Sequence, residues 1–174
     1  ITLSASIVME TMRNQKGEKR MKILLCAINA KYIHSNLAVY SLRAYAGKYE
    51  VQIEIAEFTI NHYVDDIMEE IYRQNPDFLG FSCYIWNIEY VKKLIRELKK
   101  LLPDTVIWVG GPEVSYDAAS FLKEMFQVKG VITGEGERSF LALLDYYIEG
   151  KGTLQEIDGI TYRKEKGEIG ANPC

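Results

Sequence analysis

From residue 21 onward, short apolar runs alternate with amphipathic stretches. "MKILLCAIN" (21–29) is a brief apolar run, typical of a strand buried on both faces. Residues 35–49 place Leu37, Tyr40, Ala44 and Tyr45 at helical spacing, with Ser35 as a candidate N-cap. "VQIEIAEF" (51–58) alternates as a half-exposed strand does. "YVDDIMEEIYRQN" (63–75) is amphipathic, with its acidic residues early, where they suit the helix dipole. "PDFLGFSCYI" (76–85) reads as another buried strand. The clearest helix is 87–102, where Ile88, Val91, Leu94, Ile95 and Leu98 form one stripe. "DTVIWVGG" (104–111) is a strand ending in two glycines, and 115–126 reads as a helix. "GVITGEG" (130–136) is a strand and loop, followed by a helix at 139–150. Residues 157–170 predict a hairpin with its turn near 164–167.

Five strands alternating with helices predict an α/β fold: a doubly wound, five-stranded parallel sheet with helices on both faces, Rossmann-like or flavodoxin-like. The C-terminal β-hairpin is expected beside it. In such sheets ligands bind beyond the carboxyl ends of the strands. The informative residues therefore stand just after each strand.

Composition narrows the partners. The net charge is −3, with no basic field, so nucleic acid is not an expected partner. No apolar run approaches the ~20 residues that span a bilayer, so no membrane partner is expected. Residues 1–20 are apolar first and basic last, the reverse of a secretory signal. They read as an N-terminal extension, expected to be mobile. The three cysteines, Cys26, Cys83 and Cys174, form no C-x-x-C pair and no zinc spacing. That fits a reducing cytosol, with Cys26 and Cys83 as small apolar strand residues and no metal site.

After the first strand comes "NAKYIHSN" (29–36), with a lone histidine, His34. Such a residue reads first as a surface group beside a helix cap. The loop lacks a G-x-G-x-x-G fingerprint and a P-loop. Asn29 and Ala30 stand where a receiver domain needs an acidic pair. After the third strand, Ser82 and Tyr84 point to one face and Cys83 to the other. Ser82 alone reads first as a small packing residue in a buried strand. Cys83 has no base nearby in sequence, and covalent catalysis is not expected. Gly110 and Gly111 end the fourth strand, and Pro112 stops the ladder. Glycine there lets a ligand or a turn approach the backbone.

After the fifth strand stands "TGEGERSF" (133–140). Thr133 or Gly134 could satisfy helix N-terminal amides. Glu135 and Glu137 favour the helix dipole but repel a polyphosphate. The loop suits a large, mostly uncharged ligand rich in amide and hydroxyl groups.

Ser82-Cys83-Tyr84, 25 residues, then Gly110-Gly111 resembles the S-x-L … G-G part of the cobalamin-binding fold. Together "GGPEVS" and "TGEGERSF" resemble the N-terminal cobalamin (vitamin B12)-binding domain of cobalamin-dependent radical SAM proteins, the magnesium-protoporphyrin IX monomethyl ester cyclase type included. The likeness covers roughly residues 21–150. It implies that the cofactor's nucleotide tail enters between the serine strand and the double-glycine strand, with the corrin over the strand ends. Ser82 and Tyr84 would approach the nucleotide loop. Gly110, Gly111 and Pro112, with Glu113 beside them, would give the dimethylbenzimidazole room. Gly134, Glu135 and Gly136 would meet ribose, phosphate neighbours and amides.

Two departures qualify the resemblance. Cobalamin mutases carry D-x-H-x-x-G after the first strand, and its histidine ligates cobalt. Here Lys31 falls at the His place and His34 at the Gly place. The lower-ligand His is thus absent, and Tyr32 or Ile33 facing the cobalt would leave it without a protein lower ligand; His34, from a shifted position, is the alternative ligand. The C-x-x-x-C-x-x-C iron–sulfur motif is also missing. S-adenosylmethionine and the [4Fe-4S] cluster are therefore expected in a C-terminal radical SAM domain not within this sequence. The expected organisation is 1–20 extension, 21–150 cobalamin-binding domain, and 151–174 hairpin and linker start. This stretch alone is expected not to catalyse; the parent would be a cytoplasmic methyltransferase or cyclase. The alternative is a non-catalytic flavodoxin-like domain that senses a small ligand or binds a partner. A nucleotide-sugar transferase half would need a basic or metal-bound diphosphate site, and the sequence offers none.

Overall fold

A computed structural model describes residues 20–30 and 36–174. Five parallel strands form the heart of the sheet: β1 (Ile23–Asn29), β2 (Ile53–Thr59), β3 (Phe78–Ser82), β4 (Val106–Gly110) and β5 (Gly130–Ile132). The hairpin strands β6 (Ile160–Arg163) and β7 (Ile169–Ala171) run antiparallel. The full order is β2-β1-β3-β4-β5-β6-β7.

The doubly wound class is as expected, but the sheet has seven strands rather than five. The hairpin is no appendage. Gly159, at φ +67°, turns the chain so that Ile160 pairs with Ile132. Thr133 N–H donates to the Gly159 carbonyl at 2.8 Å and closes the junction. Ile160 and Tyr162 are then buried against the sheet.

Side-chain period fixes two faces. Leu24, Cys26, Ile28, Leu79, Phe81, Ile107 and Val109 point one way. They pack under α2 (Val64–Gln74) and α3 (Ile88–Leu101), where Ile67, Ile71, Val91, Leu94, Ile95 and Leu98 are buried. The long stripe of α3 is the one its periodicity predicts, and Lys99 and Lys100 in its last turn suit the negative end of the dipole. The other face is covered by α1 (Leu37–Tyr45), which follows β1, and by a helix of Glu137–Glu149 that follows β5. Between β4 and β5 the expected single helix is two: α4 (Pro112–Ser115) and α5 (Ala118–Glu124). Asp117 divides them, because its carboxylate accepts from Ser120 N–H at 3.1 Å and starts a new N-terminus. The helix Glu137–Glu149 is accordingly α6. Among the described residues no helix is long and apolar enough to cross a membrane.

Candidate functional site

A cavity of about 500 Å³ lies on the α1/α6 face and opens beyond the strand ends. Its floor follows from the strand register. Leu25, Gly80, Trp108 and Gly130 stand side by side across β1, β3, β4 and β5. The row alternates large and absent side chains. Trp108 spreads over Gly130, where a Cβ would stand 2.4 Å from its ring. Leu25 leans over Gly80, where a Cβ would stand 2.8 Å from its Cδ2. One row nearer the carboxyl ends come Ser82, Gly110 and Ile132. Ser82 and Gly110 at the ends of β3 and β4 stand above the aromatic Phe78 and Trp108, and together they line one slot. Val39 and Leu42 of α1 and Phe140 of α6 form its side walls.

A hydrogen-bonded frame holds one wall. Asn36, not Ser35, caps α1: its Oδ1 accepts from Ala38 N–H at 3.2 Å. Ser35 lies outside the described residues. Asn36 Nδ2 donates to Ser82 Oγ at 2.9 Å, tying the helix start to the end of β3. Glu57 of β2 binds the same corner, accepting from Asn36 N–H at 2.8 Å, Asn29 Nδ2 at 3.1 Å and Tyr40 Oη at 2.7 Å. Partial burial would push the Glu57 carboxyl up, yet these three donors together hold it below its ordinary value. Asn87, fully buried, pins the turn after β3. It donates to the carbonyls of Ile28 (2.9 Å) and Ser82 (3.0 Å) and accepts from Tyr84 N–H (2.8 Å). That fixed turn presents Tyr84 at the cavity mouth, stacked on Trp86 with ring centroids 4.5 Å apart.

The two mouth glycines of β4 differ. Gly111 has φ +112° and ψ 167°, and a Cβ there would meet the Cys83 carbonyl oxygen at 2.4 Å. Only glycine lets the two turns touch. At Gly110 a Cβ would find the Ile132 carbonyl oxygen at 3.5 Å, ordinary contact, so its missing side chain leaves open space. Across the mouth, Gly134 (φ +73°) and Gly136 (φ +62°) are left-handed. Gly136 occupies the N-cap of α6, so the loop turns back over the sheet before the helix starts. Thr133 does not cap that helix; its hydroxyl donates to the Gly159 carbonyl at 3.0 Å. Glu137 accepts from Ser41 Oγ at 2.7 Å, closing α6 onto α1. Beyond this loop a wider depression of about 1040 Å³ runs toward Asp158 and Cys174.

The structure therefore brings Ser82, Tyr84, Gly110, Gly111, Pro112, Gly134, Glu135 and Gly136 around one cavity. Glu113 is exposed on α4 and does not line it. Tyr32, Ile33 and His34 lie outside the described residues. Cys83 turns away into the opposite core, where burial and then the Glu113 carboxylate push its thiol up. Burial does the same to Cys26 in β1. Both are protonated packing groups, not nucleophiles. Sequence reasoning missed Gly80, Trp108 and the Asn36–Glu57 frame. A glycine inside a continuous apolar strand was the available signal for Gly80; nothing local marks the others.

A cleft beyond the carboxyl ends of a parallel sheet, cut between two helices of one face, defines a ligand-binding domain of the doubly wound class. Residues 23–144 match the family model of the B12 binding domain, and the chain belongs to that family. It is 29% identical over 89 residues to the cobalamin-dependent radical SAM methyltransferase TokK of Streptomyces tokunonensis, covering 51% of this chain and 13% of TokK. It is 26% identical over 131 residues to the anaerobic magnesium-protoporphyrin IX monomethyl ester cyclase of Rubrivivax gelatinosus, covering 74% of this chain and 24% of the cyclase. Its fold matches the cobalamin-dependent S-adenosylmethionine radical enzyme OxsB, solved with aqua-cobalamin and S-adenosylmethionine, at a TM-score of 0.71 and 19% identity. That match covers 88% of this chain and 22% of OxsB. The chain thus spans under a quarter of each of these proteins.

Proposed function

We propose that the cavity takes the nucleotide tail of cobalamin, with the corrin over the strand ends. In this reading the chain is the cobalamin-binding part of a radical SAM enzyme that transfers methyl groups or closes a ring by oxidation. The observation that carries the reading is the make-up of the slot: glycine and serine at the ends of β3 and β4, aromatic residues beneath. The residues fit the group. A flat base needs an apolar slot without large side chains at its entrance, and Gly110, whose Cβ would make only ordinary contact, leaves the β4 end bare. The corrin carries many amides, which match the Glu135 carboxylate and the bare loop backbone of Gly134 and Gly136.

Ser82 and Tyr84 would hold the nucleotide loop, and Gly110, Gly111 and Pro112 would line the entrance. Glu113 would serve from outside the cavity, at the rim. Tyr32, Ile33 and His34 would stand on the cobalt side. Bound cobalamin would supply a cobalt centre able to carry a methyl group. The chain's own part is to grip the tail, orient the macrocycle and leave its upper face open to a radical SAM domain bearing S-adenosylmethionine and a [4Fe-4S] cluster. We infer a cytoplasmic setting from three unpaired cysteines, and no nucleic-acid or membrane partner from the net charge of −3 and the absence of a spanning apolar run.

The test is titration of the purified chain with hydroxocobalamin. Binding should perturb the corrin absorption spectrum and leave the protein coloured after gel filtration. An unchanged spectrum with colourless protein would return the chain to the flavodoxin-like sensing or interaction class.

A further inference from the structure

We propose that the slot selects among corrinoids by the lower base, accepting a benzimidazole and discriminating against adenine. The inference rests on the cobalamin reading above and names the ligand class within it. It starts from an inventory of polar atoms. The slot's deep surface is made by Leu25, Val39, Phe78, Trp108, Ile132 and Phe140, all apolar and all buried. The polar side chains beside that deep surface, those of Trp108, Ser115 and Ser82, each have a partner, while Tyr84 and Glu135 stand at the mouth. The Trp108 indole N–H donates to Tyr147 Oη at 3.2 Å. Ser115 Oγ donates to the Gly111 carbonyl at 2.8 Å. Ser82 Oγ, at the entrance, accepts from Asn36. The backbone of β3, β4 and β5 is committed to the parallel ladder. Among the described residues, the buried side-chain polar atoms without a partner are Gln127 Oε1 and Arg163 Nε, and neither lines this cavity.

Such a surface treats two flat bases of similar size differently. Dimethylbenzimidazole presents carbon-bound hydrogens and methyl groups along its deep edge, which lose nothing on leaving water and gain apolar contact. Adenine presents an exocyclic amine and ring nitrogens there. Buried without partners, they keep the full desolvation penalty. One unsatisfied polar group is enough for a preference of about tenfold.

The experiment compares three corrinoids on the same chain: hydroxocobalamin, its adenine-based analogue, and cobinamide, which has no nucleotide tail. Dissociation constants come from equilibrium dialysis read by corrin absorbance. Hydroxocobalamin should bind at least about tenfold tighter than the adenine analogue, whose affinity should fall toward that of cobinamide. Equal affinities for the two bases would overturn the selectivity and leave the cobalamin reading standing. No binding of any of the three would overturn both. Leu42→Asn adds an amide to the slot wall at a half-buried position beside Gly136. It should narrow the ratio between the two bases several-fold, and an unchanged ratio in a folded variant would remove the slot as the selecting surface. The three-corrinoid comparison on the unaltered chain decides the matter even if that variant does not fold.

Discussion

At the scale of single residues, adjacent glycines do different work. Gly111 sits where the backbone is open to glycine alone, with the Cys83 carbonyl pressed against it. Gly111→Ala should cost on the order of 3 kcal/mol, seen as a lower urea midpoint, and any loss of ligand would follow from that damage. Gly110 faces the cavity with ordinary clearance. Gly110→Leu should change stability by about 1 kcal/mol or less and still remove hydroxocobalamin binding, because its side chain fills the entrance. Full binding by a stable Gly110→Leu protein would show that the tail enters elsewhere. Glu57 gives the pH dependence of the same corner. Its folded carboxyl lies below the ordinary value of 4.5. It therefore adds stability that is present above pH 4.5 and is lost as the pH falls through the folded value. Glu57→Gln should lower the urea midpoint at neutral pH and lessen its decline below pH 4.5. An undiminished acid decline in the variant would assign that loss to other carboxylates.

At the scale of elements, the site depends on β5, three residues long and held between β4 and β6. Gly130 in it carries the Trp108 ring. Gly130→Ala would drive a methyl group into that ring and toward the Thr161 carbonyl at 2.8 Å. Overpacking of this kind costs about 1–3 kcal/mol and pushes the indole into the slot. Lower thermal stability and an altered tryptophan emission are expected together; a neutral substitution would mean that the row is looser than its register implies. The elements also show what a sequence can carry. The stripe of α3 and the continuous apolar β1 and β3 were legible because their patterns are local and periodic. The join of β6 to β5 was not, since the hairpin's alternation says nothing about which sheet edge it meets. The split at Asp117 was hidden because a cap residue inside an amphipathic run does not disturb the period. The mouth glycines were legible as residues that follow strands. The frame behind them was not, because Asn36 meets Glu57 and Ser82 across 21 and 46 positions.

At the scale of the molecule, the two faces of the sheet have different tasks. The α2/α3 face is a close-packed support. The α1/α6 face contains the slot, with α1 and α6 held together at its mouth by the Ser41–Glu137 hydrogen bond. A ligand seated there touches both helices and three strand ends at once, so its binding energy should appear as stability of that face. With hydroxocobalamin at a hundredfold over its dissociation constant, the folded state should gain about 2.7 kcal/mol by mass action. Hydrogen exchange gives the location as well as the size. Protection should rise at residues 36–42, 80–84, 110–115 and 134–140, and change little along α2 and α3, which the ligand does not touch. Protection rising instead on the exposed edge of β2 would mark that edge as the occupied surface, because a cofactor in the slot has β1 and α1 between itself and β2. The thermal shift alone cannot separate these outcomes. The exchange map can, because occupancy of the slot protects the start of α1 and the start of α6 together and leaves the edge of β2 unchanged.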